Sequence, residues 1–117
     1  MVDGANVVGS VPDGWWRDRA GAAARLRDAL VPVASAGLPG VPAPLRVVLV
    51  VEGAARGVPG VPGVEVVSAP GSGDDTIVEV TAAAADPVWV VTADRRLRAR
   101  VRAVGAQVLG PTAVPRS

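Results

Sequence analysis

The stretch Val88-Trp89-Val90-Val91-Thr92-Ala93-Asp94-Arg95-Arg96-Leu97, "VWVVTADRRL", passes from an unbroken apolar run, through an acid, into a basic segment. The run has the length and β-branched character of a strand buried on both faces. Beyond Asp94, Leu97, Val101 and Val104 recur at helical spacing, and Gly105 stops the pattern. The stretch therefore reads as strand, acid, helix, and the same order recurs elsewhere in the chain.

Working outward, Ala106 to Leu109 is the last expected strand, and residues 111–117 are expected as a tail after a domain spanning 1–110. Toward the N-terminus, a helix is expected to start near Gly73, with Ile77, Val80 and Ala84 facing inward and Asp86-Pro87 ending it. Val64 to Val67 is a short strand before it. Arg46 to Val51 is a strand with no polar break, ending at Glu52-Gly53. Residues 53–63 hold Val-Pro-Gly twice, too few copies for a repeat architecture, and read as a surface loop. Leu26, Leu30 and Val33 mark a helix over about 17–31, frayed or kinked where Pro32 removes a hydrogen bond. "PDGWW" before it is a turn, and Val2-Asp3 opens the chain. Strands alternating with helices predict an α/β fold with a mainly parallel sheet.

Composition narrows the chemistry. The 117 residues are half hydrophobic with a net charge of +1. That suffices for one modest core, and no apolar run nears the roughly 20 residues of a membrane span. The N-terminus lacks the pattern of a secretion signal, so a cytoplasmic protein with no membrane partner is expected. Cysteine and histidine are absent, and all 12 basic residues are arginine. Thiol catalysis, histidine bases, ordinary zinc sites and lysine chemistry are thereby excluded. The arginine-only usage is read as base composition of the genome and carries no functional weight.

Attention falls on the acids. Parallel α/β sheets place their chemistry beyond the carboxyl ends of the strands, where strand order reverses. Asp3, Glu52 and Asp94 each follow an expected strand, and Asp74 and Asp75 open a helix just after another. Each has an ordinary reading: Asp94, Asp74 and Asp75 as helix-start acids, Glu52 as a polar strand end. Together they would crowd one edge and repel, unless a divalent cation offset the charge. Oxygen-only ligands suit Mg2+ or Mn2+. Such an ion polarises phosphate and activates water, which fits phosphodiester hydrolysis.

Val2-Asp3-Gly4-Ala5-Asn6-Val7, Asp74-Asp75-Thr76-Ile77 and Val91-Thr92-Ala93-Asp94-Arg95-Arg96-Leu97 resemble the motifs of NYN domains, the PIN-like nucleases, and most closely their bacterial YacP-like branch. The resemblance covers about residues 1–110. It implies a three-layer α/β/α PIN-like fold, strand order 3-2-1-4-5, and divalent-metal-dependent ribonuclease activity. It matches Asp3, Asp74 and Asp94 to catalytic, metal-binding acids, with Asp75 adjacent and Glu52 standing where relatives often carry an aspartate. Asn6 and Thr92 match residues that orient the site. Three departures stand out: only Met1 and Val2 precede Asp3, residues 53–63 look too rich in proline and glycine for a crossover helix, and the chain is compact.

RNA is the partner implied. The segment Arg95 to Arg102 holds five arginines and no acid, the one candidate footprint for phosphates. Arg95, Arg96 and Arg98 are the candidate RNA-binding residues, with Arg95 and Arg96 nearest the expected site because a helix starts there; a solvated helix face is the plain alternative. Trp15 and Trp16 would stack on bases, or else pack on the fold or between two copies in a homodimer. Two further readings stand beside the ribonuclease. One is an inactive RNA-binding or partner-docking module of the same fold. The other is a receiver-type phospho-acceptor domain, which the missing lysine disfavours.

Overall fold

The computed structural model describes residues 1–11 and 14–115. Five strands, β1 (Val2–Asp3), β2 (Val47–Val51), β3 (Val64–Ser68), β4 (Trp89–Val91) and β5 (Gln107–Leu109), form one sheet in the order β3-β2-β1-β4-β5. Every pairing is parallel. Strand order reverses at β1: the chain winds outward through β2 to β3, then crosses to β4 on the other side of β1. The expected order 3-2-1-4-5 is the observed one.

Alternation along β2 explains the layers. Val47, Leu49 and Val51 face one side, packing with Ala23, Leu26 and Leu30 of helix α2 (Arg19–Leu30). Val48 and Val50 face the other, packing with Ile77 of helix α4 (Gly73–Ala83) and with Leu97 and Val101 of helix α5 (Arg95–Ala103). All five β2 residues are buried, as a central strand covered on both faces requires. The fold is the three-layer α/β/α arrangement of PIN-like proteins.

Pro32 acts as expected. α2 stops at Leu30, and Pro32 instead caps the short helix α3 (Val33–Ala36), so Val33 still reaches the core. A 3-10 turn, Trp15–Arg17, precedes α2; the rest of the expected "PDGWW" turn, Pro12 and Asp13, lies outside the described residues. Residues 53–63 hold only a 3-10 turn at Gly53–Ala55, so β2 joins β3 without a crossover helix.

Two expected stripes are corrected. In α4, Ile77 is buried but Val80 is exposed at 36% and Ala84 lies past the helix; Thr76 and Thr81 face inward instead. Thr81, four residues after Ile77, lies closer to its face than Val80 does, and its hydroxyl is buried there without a hydrogen-bond partner among the described residues. In α5, Val104 is exposed at 41%, because the helix ends at Ala103 and the C-cap turns away from the sheet. A six-residue helix not expected from the sequence, α1 (Gly4–Gly9), follows directly on β1 and buries Val7 and Val8. After Gly110 the chain makes a 3-10 turn, Pro111–Ala113, and Val114 is buried in the α2-side core; Arg116 and Ser117 lie outside the described residues.

Short as it is, β1 is held on both sides. Its two residues pair with Leu49 and Val50 of β2. On the other side the Val91 amide donates to the Met1 carbonyl at 2.9 Å, and the Met1 amine donates to the Trp89 carbonyl at 2.9 Å. No helix among the described residues is long and apolar enough to cross a membrane.

Candidate functional site

Asp3 ends β1 and Thr92 follows β4, next to each other where strand order reverses. Val2 and Val91 point to the α2 side, so alternation turns Asp3 and Thr92 to the α4/α5 side. The Thr92 hydroxyl, fully buried, donates to Asp3 Oδ2 at 2.9 Å. It also accepts from the Asp94 amide at 3.1 Å. Asn6, on α1, accepts the Ala93 amide on Oδ1 at 2.8 Å, tying α1 to the loop after β4. The Asn6 amide also approaches Asp3 Oδ1 at 3.4 Å, a weak cap. The two residues expected to orient the site thus both contact its backbone or its central acid.

Gly4 allows this junction. A Cβ there would lie 2.6 Å from the Val50 carbonyl oxygen, so only glycine lets α1 leave β1 against the β2 backbone.

Burial dominates the electrostatics of Asp3. It is 5% exposed, and desolvation raises its pKa from 3.8 to about 6, with the charges of Asp74 and Glu52 adding to the rise. Hydrogen bonds from Thr92 and Asn6 oppose it. Asp74, in the first turn of α4, is also raised, first by desolvation and then by Asp94 and Glu52, with a smaller rise from Asp75. Its carboxylate accepts no hydrogen bond from the described residues. Four separate chain segments therefore meet here: Asp3 feels Asp74 and Glu52, and Asp74 feels Asp94 and Glu52.

The other acids have structural duties as well. Glu52 Oε2 accepts the Gly73 amide in a short hydrogen bond, linking the end of β2 to the start of α4. Asp94 Oδ1 accepts the Arg96 and Leu97 amides at 2.9 and 3.0 Å, capping α5. Asp75 pairs with Arg100 at 2.9 Å, directed across to α5. No three acids among the described residues converge closely enough to hold one ion. The carboxylates feel one another's charge without closing around a common point. Their donor set is nonetheless chemically suited to a hard dication, being oxygen-only and anionic.

The arginines of α5 divide. Arg95 and Arg96 are exposed at the helix start, beside Asp94. Arg98, expected with them on the RNA-facing side, turns inward: its Nε donates to the Thr92 carbonyl at 2.8 Å. It braces the same loop that carries the site. Arg100 is the partner of Asp75. Trp15 is half-buried and Trp16 is 53% exposed, their rings edge to face at 6.0 Å. The brace by Arg98 and the tether from Glu52 to Gly73 went unread in the sequence, because each joins segments that only folding brings together.

The sheet order and the two helical layers define a protein of PIN-like α/β fold. No family model and no curated protein matches the chain. Among solved structures, it is similar to the crystal structure of a mutant of Rae1 (YacP) from Bacillus subtilis. The TM-score is 0.68 at 20% sequence identity, over 96% of this chain and 69% of that one. At that identity the likeness is one of fold.

Proposed function

We propose that the protein is a divalent-metal-dependent ribonuclease that hydrolyses RNA phosphodiester bonds at the edge carrying Asp3, Asp74 and Asp94. The observation that carries this reading is the gathering of acids at the strand-order reversal, where Asp74 and Glu52 act on Asp3, and Asp94 and Glu52 act on Asp74. Two likenesses support it: the motifs resemble the YacP-like branch of NYN domains, and the fold resembles Rae1 (YacP).

On this reading Asp3, Asp74 and Asp94, which do not close around one point in this structure, would draw in around Mg2+ or Mn2+, with Glu52 and Asp75 at the margin. The ion would supply charge stabilisation at the phosphate and a more acidic water. The chain's own residues do the rest. Thr92 and Asn6 fix Asp3 and the loop after β4. The Asp74 carboxylate accepts no hydrogen bond from the described residues, which leaves its oxygens open to an ion or to a water. Arg95 and Arg96 would meet the phosphates on either side. Residues 1–110 would act as one domain.

The test is hydrolysis of generic RNA with Mn2+, Mg2+ or EDTA. Cleavage that needs the metal and is lost in Asp74→Asn supports the reading. Cleavage retained at the wild-type level in Asp74→Asn overturns it.

A second reading, an RNA-binding or partner-docking module without catalysis, is favoured by the wide placement of the acids. On that reading RNA binding persists in EDTA, and Asp→Asn changes strengthen it by relieving repulsion with phosphate.

A further inference from the structure

A cavity of about 300 Å³ opens between α1, α2 and the carboxyl end of β2, and borders the acidic edge. Its walls include Gly4, Val8, Trp15, Arg19, Ala23 and Glu52. A larger cavity, about 640 Å³, is lined by Met1, Leu45, Val47 and Trp89 and by none of the candidate site acids. The smaller one is the neighbour of the proposed chemistry. It shares Gly4, the residue after Asp3, and Glu52, whose charge Asp3 feels.

We propose that this cavity receives one unpaired nucleobase of the RNA strand whose phosphate lies at the acidic edge. The proposal rests on the RNA-directed reading above. Four observations support it. The volume is at the lower end of the range for small-molecule sites, about 300–1,000 Å³, and has room for one base. One wall is an indole: Trp15 is half-buried, and its ring carries Arg19 over one face, leaving the other for a base. The Arg19 guanidinium lies 5.4 Å from the centre of that ring, and Arg17 lies 5.9 Å from that of Trp16. Guanidinium planes also stack on bases. Finally, the Glu52 carboxylate in the wall repels phosphate. A neutral base therefore enters, and the flanking phosphates stay outside near Arg17 and Arg19, which are exposed.

The experiment is a binding titration of the full chain in EDTA, read by tryptophan fluorescence and by anisotropy of labelled RNA. The probes are a short oligo(A) RNA, an abasic strand of the same length, and a duplex. Expected are saturable quenching by oligo(A) and about 10-fold or greater weakening with the abasic strand and the duplex. Trp15→Leu should weaken oligo(A) to the abasic level. Ala5→Leu, at an exposed α1 position lining the cavity, should do the same without disturbing the core. Equal affinity for abasic and oligo(A) strands overturns the proposal. So does a folded Ala5→Leu that binds as wild type, or quenching that follows protein concentration alone and marks a contact between copies. Base-dependent binding with no cleavage in any metal removes the hydrolytic reading alone. Metal-dependent cleavage without base dependence removes the cavity's role alone.

Discussion

The Thr92 hydroxyl donates to Asp3 Oδ2 at 2.9 Å, joining residues 89 positions apart in the chain. The bond spans the switch point of the sheet and is buried at both ends. It makes the central acid answerable to β4 as much as to β1.

Thr92→Val keeps the shape and removes the hydroxyl, leaving a buried carboxylate oxygen without its donor. The expected cost is about 1–3 kcal/mol at pH 8. The cost should shrink at pH 5, where Asp3, raised to about 6, is largely protonated. Urea denaturation at the two pH values measures it. Equal losses at both would mean that the hydroxyl does not serve the charged form.

The raised pKa of Asp3 also sets a pH dependence for the wild-type fold. The folded state holds the proton to about 6 and the unfolded chain only to about 3.8. The stability tied to this group is therefore fully present below about 3.8 and lost as pH rises through about 6. Asp3→Asn removes the charge. Relative to wild type, it should gain about 2.5 kcal/mol between pH 4 and pH 8. Paired denaturation curves in EDTA test this, and a difference that does not change with pH would refute it.

Asp94 separates capping from chemistry. Asparagine caps as well as aspartate, so Asp94→Asn should keep near wild-type stability, whereas Asp94→Ala should lose about 0.5–2 kcal/mol. RNA hydrolysis with Mn2+ should fall at least about 100-fold in both. Wild-type hydrolysis in Asp94→Asn would leave Asp94 as a cap and nothing more.

The arginines of α5 predict opposite phenotypes. Arg95→Ala and Arg96→Ala should leave stability unchanged and lower the salt dependence of RNA binding, by about 0.7 in the log–log slope for each phosphate no longer neutralised. Arg98→Ala removes the bond to the Thr92 carbonyl and should cost about 1.5–3 kcal/mol of stability. Binding against salt concentration, with thermal melts of the same proteins, would expose a reversal.

Gly4→Ala places a methyl group 2.6 Å from the Val50 carbonyl oxygen, and the obstacle is backbone that cannot turn aside. The strand and helix must part, at an expected cost of about 1–3 kcal/mol. A calorimetric melt at the wild-type temperature would contradict the close approach.

Much of this was readable from residue order. Val47 to Val51 is apolar without a break because β2 is covered on both faces, and the strand–acid–helix order placed Asp3, Glu52 and Asp94 at the carboxyl end of the sheet. Where the reading failed, burial was decided by packing. Val80 and Val104 are apolar yet exposed, while Thr76 and Thr81 are polar yet inward, because the face a helix presents depends on where it starts and stops against the sheet. The helix α1 went unseen, since six residues are too few to show a period.

Local order along the chain determined the strands, the alternation and which acids stand at strand ends, for these follow from side-chain hydrophobicity and backbone preference over a few residues. Tertiary structure alone decided which arginine faces solvent and which braces Thr92, that Glu52 holds the Gly73 amide, and that Trp15 and Glu52 wall one cavity. Those arrangements join separate elements of the fold. Hydrogen-bond direction and desolvation act only once packing has brought such residues together.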